Sequence, residues 1–139
     1  MTDDDPIEIA ARALRHRDLS RREVEERLAR AGIDEDRRHD ALETLERVGY
    51  VDDERFAGAR AGALAARGYG DEWIRHDLAE HGVAAEAVAE AIGGLVPEGE
   101  RAAVLVDRLG RTAKTGAQLA RKGFGEDALE TALGIHIAE

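Results

Sequence analysis

The sequence predicts an all-α protein made of three tandem three-helix repeats, and three observations lead there. Alanine fills 26 of 139 positions and proline only two, with Glu and Arg abundant, a helix-forming composition. The β-branched runs that a sandwich or a doubly wound sheet needs are absent. Residues 60–93 also align without a gap on residues 101–134, and the first segment joins the second at an offset of 50. The most specific element of the repeat is Leu-x3-Gly-hydrophobic, seen at Leu28 to Ile33, Leu78 to Val83 and Leu119 to Phe124. The predicted boundaries are 7–50, 53–96 and 98–135, after an acidic N-terminal stretch at 1–9.

In the first repeat, Asp5 precedes Pro6 with Glu8 three residues on, a helix start with proline at the first helical position. Ile7, Ala10, Ala11 and Leu14 form its apolar stripe. Ser20 to Glu23 is a capping box that opens a second helix carrying Val24, Leu28 and Ala31. Gly32 followed by Ile33 reads as a Schellman stop. Asp34 caps a third helix, with Ala41, Leu42, Leu45 and Val48 on one face, and Gly49 ends it.

The second repeat starts after Asp52-Asp53 and carries Phe56, Ala63 and Leu64 up to Gly68. Gly70-Asp71 opens the next helix, which turns Trp73 or Ile74, then Leu78, to the core before Gly82 stops it. Val88, Ala91, Ile92 and Leu95 follow. Pro97-Glu98-Gly99 is the sharpest boundary in the chain. The third repeat runs through Ala102, Leu105, Val106 and Leu109, takes Thr112 as a cap, and continues through Leu119, Gly123-Phe124 and Leu129, Ala132, Leu133. Thr115 stands where Val24 and Ile74 stand in the other repeats. Each triplet holds too few large apolar residues to be stable alone, so the repeats are expected to pack on one another.

Composition narrows the function. With no cysteine, disulfides, thiolate zinc sites and cysteine nucleophiles are excluded. No apolar run approaches the ~20 residues of a membrane span, and the acidic start is unlike a signal peptide, so a cytoplasmic protein without membrane contact is expected. Net charge is −10, spread as −4 over residues 1–9, 0 over 10–50, −7 over 51–100 and +1 over 101–139. That disfavours nucleic-acid binding by bulk charge. Two local basic clusters, Arg12 to Arg22 and Arg108 to Lys122, leave room for weak, salt-sensitive DNA contact.

No catalytic set emerges. His76 and His81 are five apart, about 140° around a helix, which is not metal-ligand spacing. His16, His39 and His136 have no ligand pattern around them. Gly110 to Gly116 holds a Lys-Thr pair but lacks the glycine before lysine and the preceding strand of a phosphate loop. Asp52-Asp53-Glu54 reads as an N-cap with first-turn acids rather than a metal site. No cofactor or metal is expected, and the chain reads as a binding protein.

The densest constellation is Gly49-Tyr50-Val51-Asp52-Asp53-Glu54-Arg55-Phe56-Ala57, with two of the five aromatics, three acids and an arginine in nine residues. As a junction between repeats it predicts Tyr50 and Phe56 wedged between helices and Arg55 paired with an acid. A partner contact beside it is the second reading.

At these residues the sequence resembles the RecX family, regulators of the bacterial recombinase RecA. The family's junction, Gly-Tyr-hydrophobic-Asp-Asp-x-Arg-Phe-Ala, is matched throughout from Gly49 to Ala57. A basic-Gly-x-Gly stretch followed by Ile-Arg-x-x-Leu and Gly-hydrophobic is matched by Arg67 to Gly70, Ile74 to Leu78 and Gly82-Val83. Arg17 to Ser20 and Gly123-Phe124 fit as well, and the likeness covers about residues 8–135. The chain departs from the family in its acidic charge and in its weakly matching third repeat.

The resemblance implies an elongated, curved array lodged on the RecA–single-stranded DNA filament as a monomer, restraining its ATPase, strand-exchange and coprotease activities without catalysis. Candidate partner-binding residues are Tyr50, Asp52, Asp53 and Arg55 at the junction, Arg67 and Arg75 in the second repeat, and Arg111, Lys114, Arg121 and Lys122 in the third. A helical nucleic-acid-binding module and a generic protein-interaction module stay as alternatives.

Overall fold

The structure, a computed structural model, describes residues 5–134. Asp3 and Asp4 of the acidic stretch, His136, and residue 135 at the end of the third predicted repeat lie outside the described residues. Among the described residues there are nine α-helices and no strand. They are α1 (Pro6–Leu14), α2 (Arg21–Arg30), α3 (Glu35–Arg47), α4 (Asp53–Ala66), α5 (Asp71–Glu80), α6 (Ala85–Gly93), α7 (Glu98–Leu109), α8 (Ala113–Arg121) and α9 (Glu126–Leu133). No helix among the described residues is long and apolar enough to cross a membrane.

Local chemistry explains where the helices begin and end. Asp5, Ser20, Asp34, Asp52 and Thr112 each cap a helix by accepting a backbone N–H, and Ser20 with Glu23 completes a reciprocal capping box. The middle helices α2, α5 and α8 end alike. Gly32, Gly82 and Gly123 take φ of 85°, 83° and 96°, and the next residue's N–H returns to the carbonyl of Leu28, Leu78 or Leu119. That turn points Ile33, Val83 and Phe124 inward, each 5% exposed.

Three hydrophobic clusters follow, one per triplet. The first gathers Leu19, Val24, Leu28, Leu42, Leu45 and Val51. The second holds Phe56, Leu64, Ile74, Leu78, Val83 and Val88. The third is leaner, with Ala102, Val106, Leu119, Phe124, Leu129 and Leu133. Thr115 is buried at the position of Val24 and Ile74, where its N–H and hydroxyl both meet the Thr112 hydroxyl, at 3.1 and 3.2 Å. The polar substitution is thus satisfied within its own helix start.

Several expectations need correction. Tyr50 does not wedge between helices and is 56% exposed. Gly49, at φ 83°, lets both Tyr50 and Val51 return their N–H groups to Leu45 O, and this turn buries Val51 and sends Tyr50 outward. Phe56 is buried, but in the core of the second triplet, with its ring 5.5 Å from that of His81. Between Trp73 and Ile74 it is Ile74 that is buried; Trp73 lies outside, stacked on Tyr69 at 4.7 Å. Val48 and Leu109, expected on core faces, sit at the ends of their helices and are exposed.

Candidate partner-binding surface and the junctions that shape it

Two junctions join the three triplets, and they are built the same way. At the first, the start of α2 rests on the end of α5. The Ser20 hydroxyl donates to the His81 carbonyl at 2.7 Å, the Arg22 guanidinium donates to the Glu80 carbonyl, and the Arg21 N–H donates to Asp53 Oδ1 at 2.8 Å. At the second, the start of α5 rests on the end of α8. Gly70 N–H donates to the Lys122 carbonyl at 2.8 Å, Glu72 N–H to the Gly123 carbonyl at 3.1 Å, and Asp71 N–H to Glu98 Oε2 at 2.8 Å.

The correspondence is position by position. In the second junction the free N–H groups of α5 meet the free carbonyls of α8 directly. In the first, the Ser20 hydroxyl and the Arg22 guanidinium make the bonds to the carbonyls at the end of α5, so carbonyls left open by one helix end are satisfied by the start of another. The first residue of the following first helix, Asp53 or Glu98, supplies a carboxylate to the same turn. Helices α8, α5 and α2 therefore run as one head-to-tail column, the N-terminus of each on the C-terminus of the one before it.

Arginine clamps reinforce both junctions. Arg55 reaches Asp18 with two donors, at 3.2 and 3.1 Å, and also donates to the carbonyls of Gly49 and Tyr50 at 2.8 and 3.2 Å. Arg101 pairs with Asp71 and donates to the Val96 carbonyl at 2.9 Å. Glycine is required where the backbones meet. A Cβ at Gly123 would lie 2.5 Å from Trp73 N, and one at Gly70 would run into the Gly123–Phe124 peptide.

The candidate residues divide into two groups. Asp52 caps α4 through the Arg55 N–H, at 3.1 Å, Asp53 and Arg55 hold the first junction, and Lys122 lies in the second. Lys122 donates to the Arg67 carbonyl at 3.0 Å and sits 4.3 Å from the centre of the Tyr69 ring. Burial pushes the Asp53 carboxyl above the ordinary range, and the Arg21 N–H only partly opposes this. The exposed group comprises Tyr50, Arg67, Arg75, Arg111, Lys114 and Arg121. Of these, Arg75 is paired with Glu72 at 2.6 Å and Arg67 lies 5.5 Å from the Tyr69 ring.

Tyr50 stands over an open groove of about 720 Å³ between α1 and the first junction, lined also by Leu14, Arg15, Asp18 and Arg55. The exposed candidates do not converge on one pocket. Among the described residues no group of three or more His, Cys, Asp or Glu side chains is placed to hold a metal ion.

Sequence reasoning missed Ser20 and His81, Asp18, Asp71 with Arg101, and Glu98 as junction residues. Ser20 was visible as a cap. Its second role, donating to a carbonyl 61 positions away, leaves no local signal.

Comparison with known proteins agrees with this architecture. Residues 52–92, which span α4 to α6, match the family model described as RecX, second three-helix domain. The regulatory protein RecX of Stenotrophomonas maltophilia strain R551-3 is 33% identical, over 91% of this chain and 84% of its own. That of Xanthomonas citri is 32% identical over 91% and 85%. In fold, the crystal structure of RecX from Lactobacillus salivarius superposes with a TM-score of 0.83 at 20% identity, covering 93% of this chain and 92% of that one. A likeness this strong over nearly the whole length of its relatives, on the same three-triplet frame, makes the chain a member of the RecX family of regulatory proteins.

Proposed function

We propose that this chain binds the RecA–single-stranded DNA filament and restrains its ATPase, strand-exchange and coprotease activities, acting as a cytoplasmic monomer without catalysis. The observation that carries the reading is its likeness, along at least 84% of their length, to proteins named as RecX regulators. The junction geometry supports it. Two bonded junctions hold three triplets in a fixed relation, a form suited to reading a repeating groove rather than one pocket.

In this reading the exposed Tyr50, Arg67, Arg75, Arg111, Lys114 and Arg121 meet the filament. Asp52, Asp53, Arg55 and Lys122 act one step back, fixing the spacing at which the triplets present those residues. Binding across filament subunits favours the inactive or disassembling filament by its differential affinity, so the effect saturates with occupancy. The test is ATP hydrolysis by the cognate RecA on single-stranded DNA, titrated with this protein. A saturating fall in rate with co-sedimentation on the filament is expected. No change at several-fold excess and no co-sedimentation would sink the proposal.

A further inference from the structure

The column of middle helices has one C-terminal end inside each junction and a third that receives no helix start among the described residues. At the ends of α5 and α8 the glycine is covered: a Cβ on Gly82 would lie 2.8 Å from Arg22, and on Gly123 it would lie 2.5 Å from Trp73. Gly32, at the end of α2, has the same left-handed turn and the same bond from the following residue, yet nothing stands within 4 Å of its Cβ position. Among the described residues no donor is bonded to the carbonyls of Arg30, Ala31 or Gly32, the counterparts of the carbonyls that receive a helix start elsewhere.

The electrostatics at this end are specific. Beside it a cavity of about 360 Å³ opens between α1 and α2, floored by Ile9 and Ala13 and rimmed by Arg12, His16, Arg27 and Arg30. Among the described residues Arg27 and Arg30 have no ion-pair partner, and Arg12 only touches Glu8 at 4.0 Å. This concentration of cations stands out in a chain of net charge −10.

The α8 end shows one kind of helix start that such an end accepts. Where the start of α5 sits on α8, backbone N–H groups of Gly70 and Glu72 meet the open carbonyls while the first-turn acid Asp71 pairs with Arg101. We infer that the C-terminal end of α2 is an open docking site for the N-terminal turn of a partner's helix that carries acidic residues there. That helix would extend the column by one member, its N–H groups on the carbonyls of Arg30 to Gly32 and its acids on Arg27, Arg30 and Arg12. The chain's own α8 start is a poor occupant, since Arg111 and Lys114 flank it and its first turn has no acid, so like charges oppose end-to-end growth.

The test is a ¹⁵N-labelled full chain titrated with a synthetic peptide of residues 69–82, held helical by a lactam, which presents the natural acidic start of α5. Amide shifts at residues 27–33 are expected. They should weaken about fivefold or more with Arg27→Glu plus Arg30→Glu in the chain, or with Asp71→Lys plus Glu72→Lys in the peptide. The neutral Arg27→Gln plus Arg30→Gln chain gives the same reading should the reversed one fail to fold. Shifts centred elsewhere, or unchanged by these substitutions, overturn the inference. So does inorganic phosphate moving the same amides as readily as the peptide, which would make the end a phosphate pocket. Shifts that grow with the concentration of the chain alone would assign the end to a second copy and overturn it too.

Discussion

The Ser20 hydroxyl donates to the carbonyl of His81 across 61 residues, while the same oxygen accepts the N–H of Glu23 at 3.2 Å. One side chain thus caps its own helix and ties it to the end of another. Ser20 is fully buried, so its removal leaves both groups short of a partner. Ser20→Ala should lower stability by ~1–3 kcal/mol in urea unfolding. A Ser20→Thr variant should recover most of that loss. If Ser20→Ala unfolds like the parent, water replaces the bond and the junction does not depend on it.

The glycine turns offer a comparison within one molecule. Gly32→Ala meets only the left-handed backbone, costing about 1 kcal/mol. Gly123→Ala meets that and the α5 backbone at 2.5 Å, so it should cost ~1–3 kcal/mol more. Equal losses in chemical denaturation would mean that α5 does not rest on α8 in solution.

Phe56 fills the core of the second triplet at 5% exposure. Phe56→Ala should destabilise by ~3–5 kcal/mol and broaden the melting transition as that triplet loosens. Tyr50→Ala, at an exposed side chain outside the three cores, should change the melting temperature little. A large loss at Tyr50 would contradict its exposed placement.

Acid sensitivity has an assignable source. Two hydrogen bonds from Arg60, at 2.6 and 2.9 Å, hold the Asp77 carboxyl below the ordinary range. Its stabilisation is therefore complete above the unfolded value of about 3.9 and is lost as pH falls through the lower folded value. Asp77→Asn should flatten that part of a melting-temperature profile. Asp53 has the opposite sign: burial raises its carboxyl, so its contribution is present at low pH and fades as pH rises through the folded value. Asp53→Asn, which keeps an acceptor for the Arg21 N–H, should gain relative to the parent on moving from pH 3 to pH 7. Parallel profiles for parent and variants would refute both assignments.

Charge reversal at Arg67, Arg75 or Arg121 should weaken restraint of RecA while leaving the helical spectrum intact, because all three are exposed and surface changes cost under ~0.5 kcal/mol. Leu28→Ala or Leu78→Ala should instead remove structure and restraint together, since both side chains are fully buried. Restraint unaffected by any of the three reversals would move the partner contact elsewhere on the molecule.

Local chemistry made the helices legible. Ser20, Asp34 and Thr112 announce starts, and Gly32, Gly82 and Gly123 announce stops, because caps and left-handed turns are specified within four or five residues. The Arg55 ion pair was also foreseen, though not its partner Asp18. Tyr50 was misplaced because the left-handed turn at Gly49 decides which of two adjacent hydrophobic residues faces inward, and pattern alone does not choose between Tyr50 and Val51. The junctions were invisible for another reason. Backbone carbonyls of Glu80, His81, Lys122 and Gly123 are among their acceptors, and a backbone carbonyl carries no residue signature.

The head-to-tail order of the middle helices also has a consequence for synthesis on the ribosome. The column runs from α8 through α5 to α2, against the direction in which the chain is made. The first triplet emerges with its helix start uncovered, and Ser20 waits for His81, made 61 residues later. The second likewise waits for Lys122 and Gly123. Each newly made triplet thus completes the one before it. Premature termination would be felt upstream of the break, at the start of a helix already made, leaving such fragments open to proteolysis at α5 or α2 rather than only at their new ends.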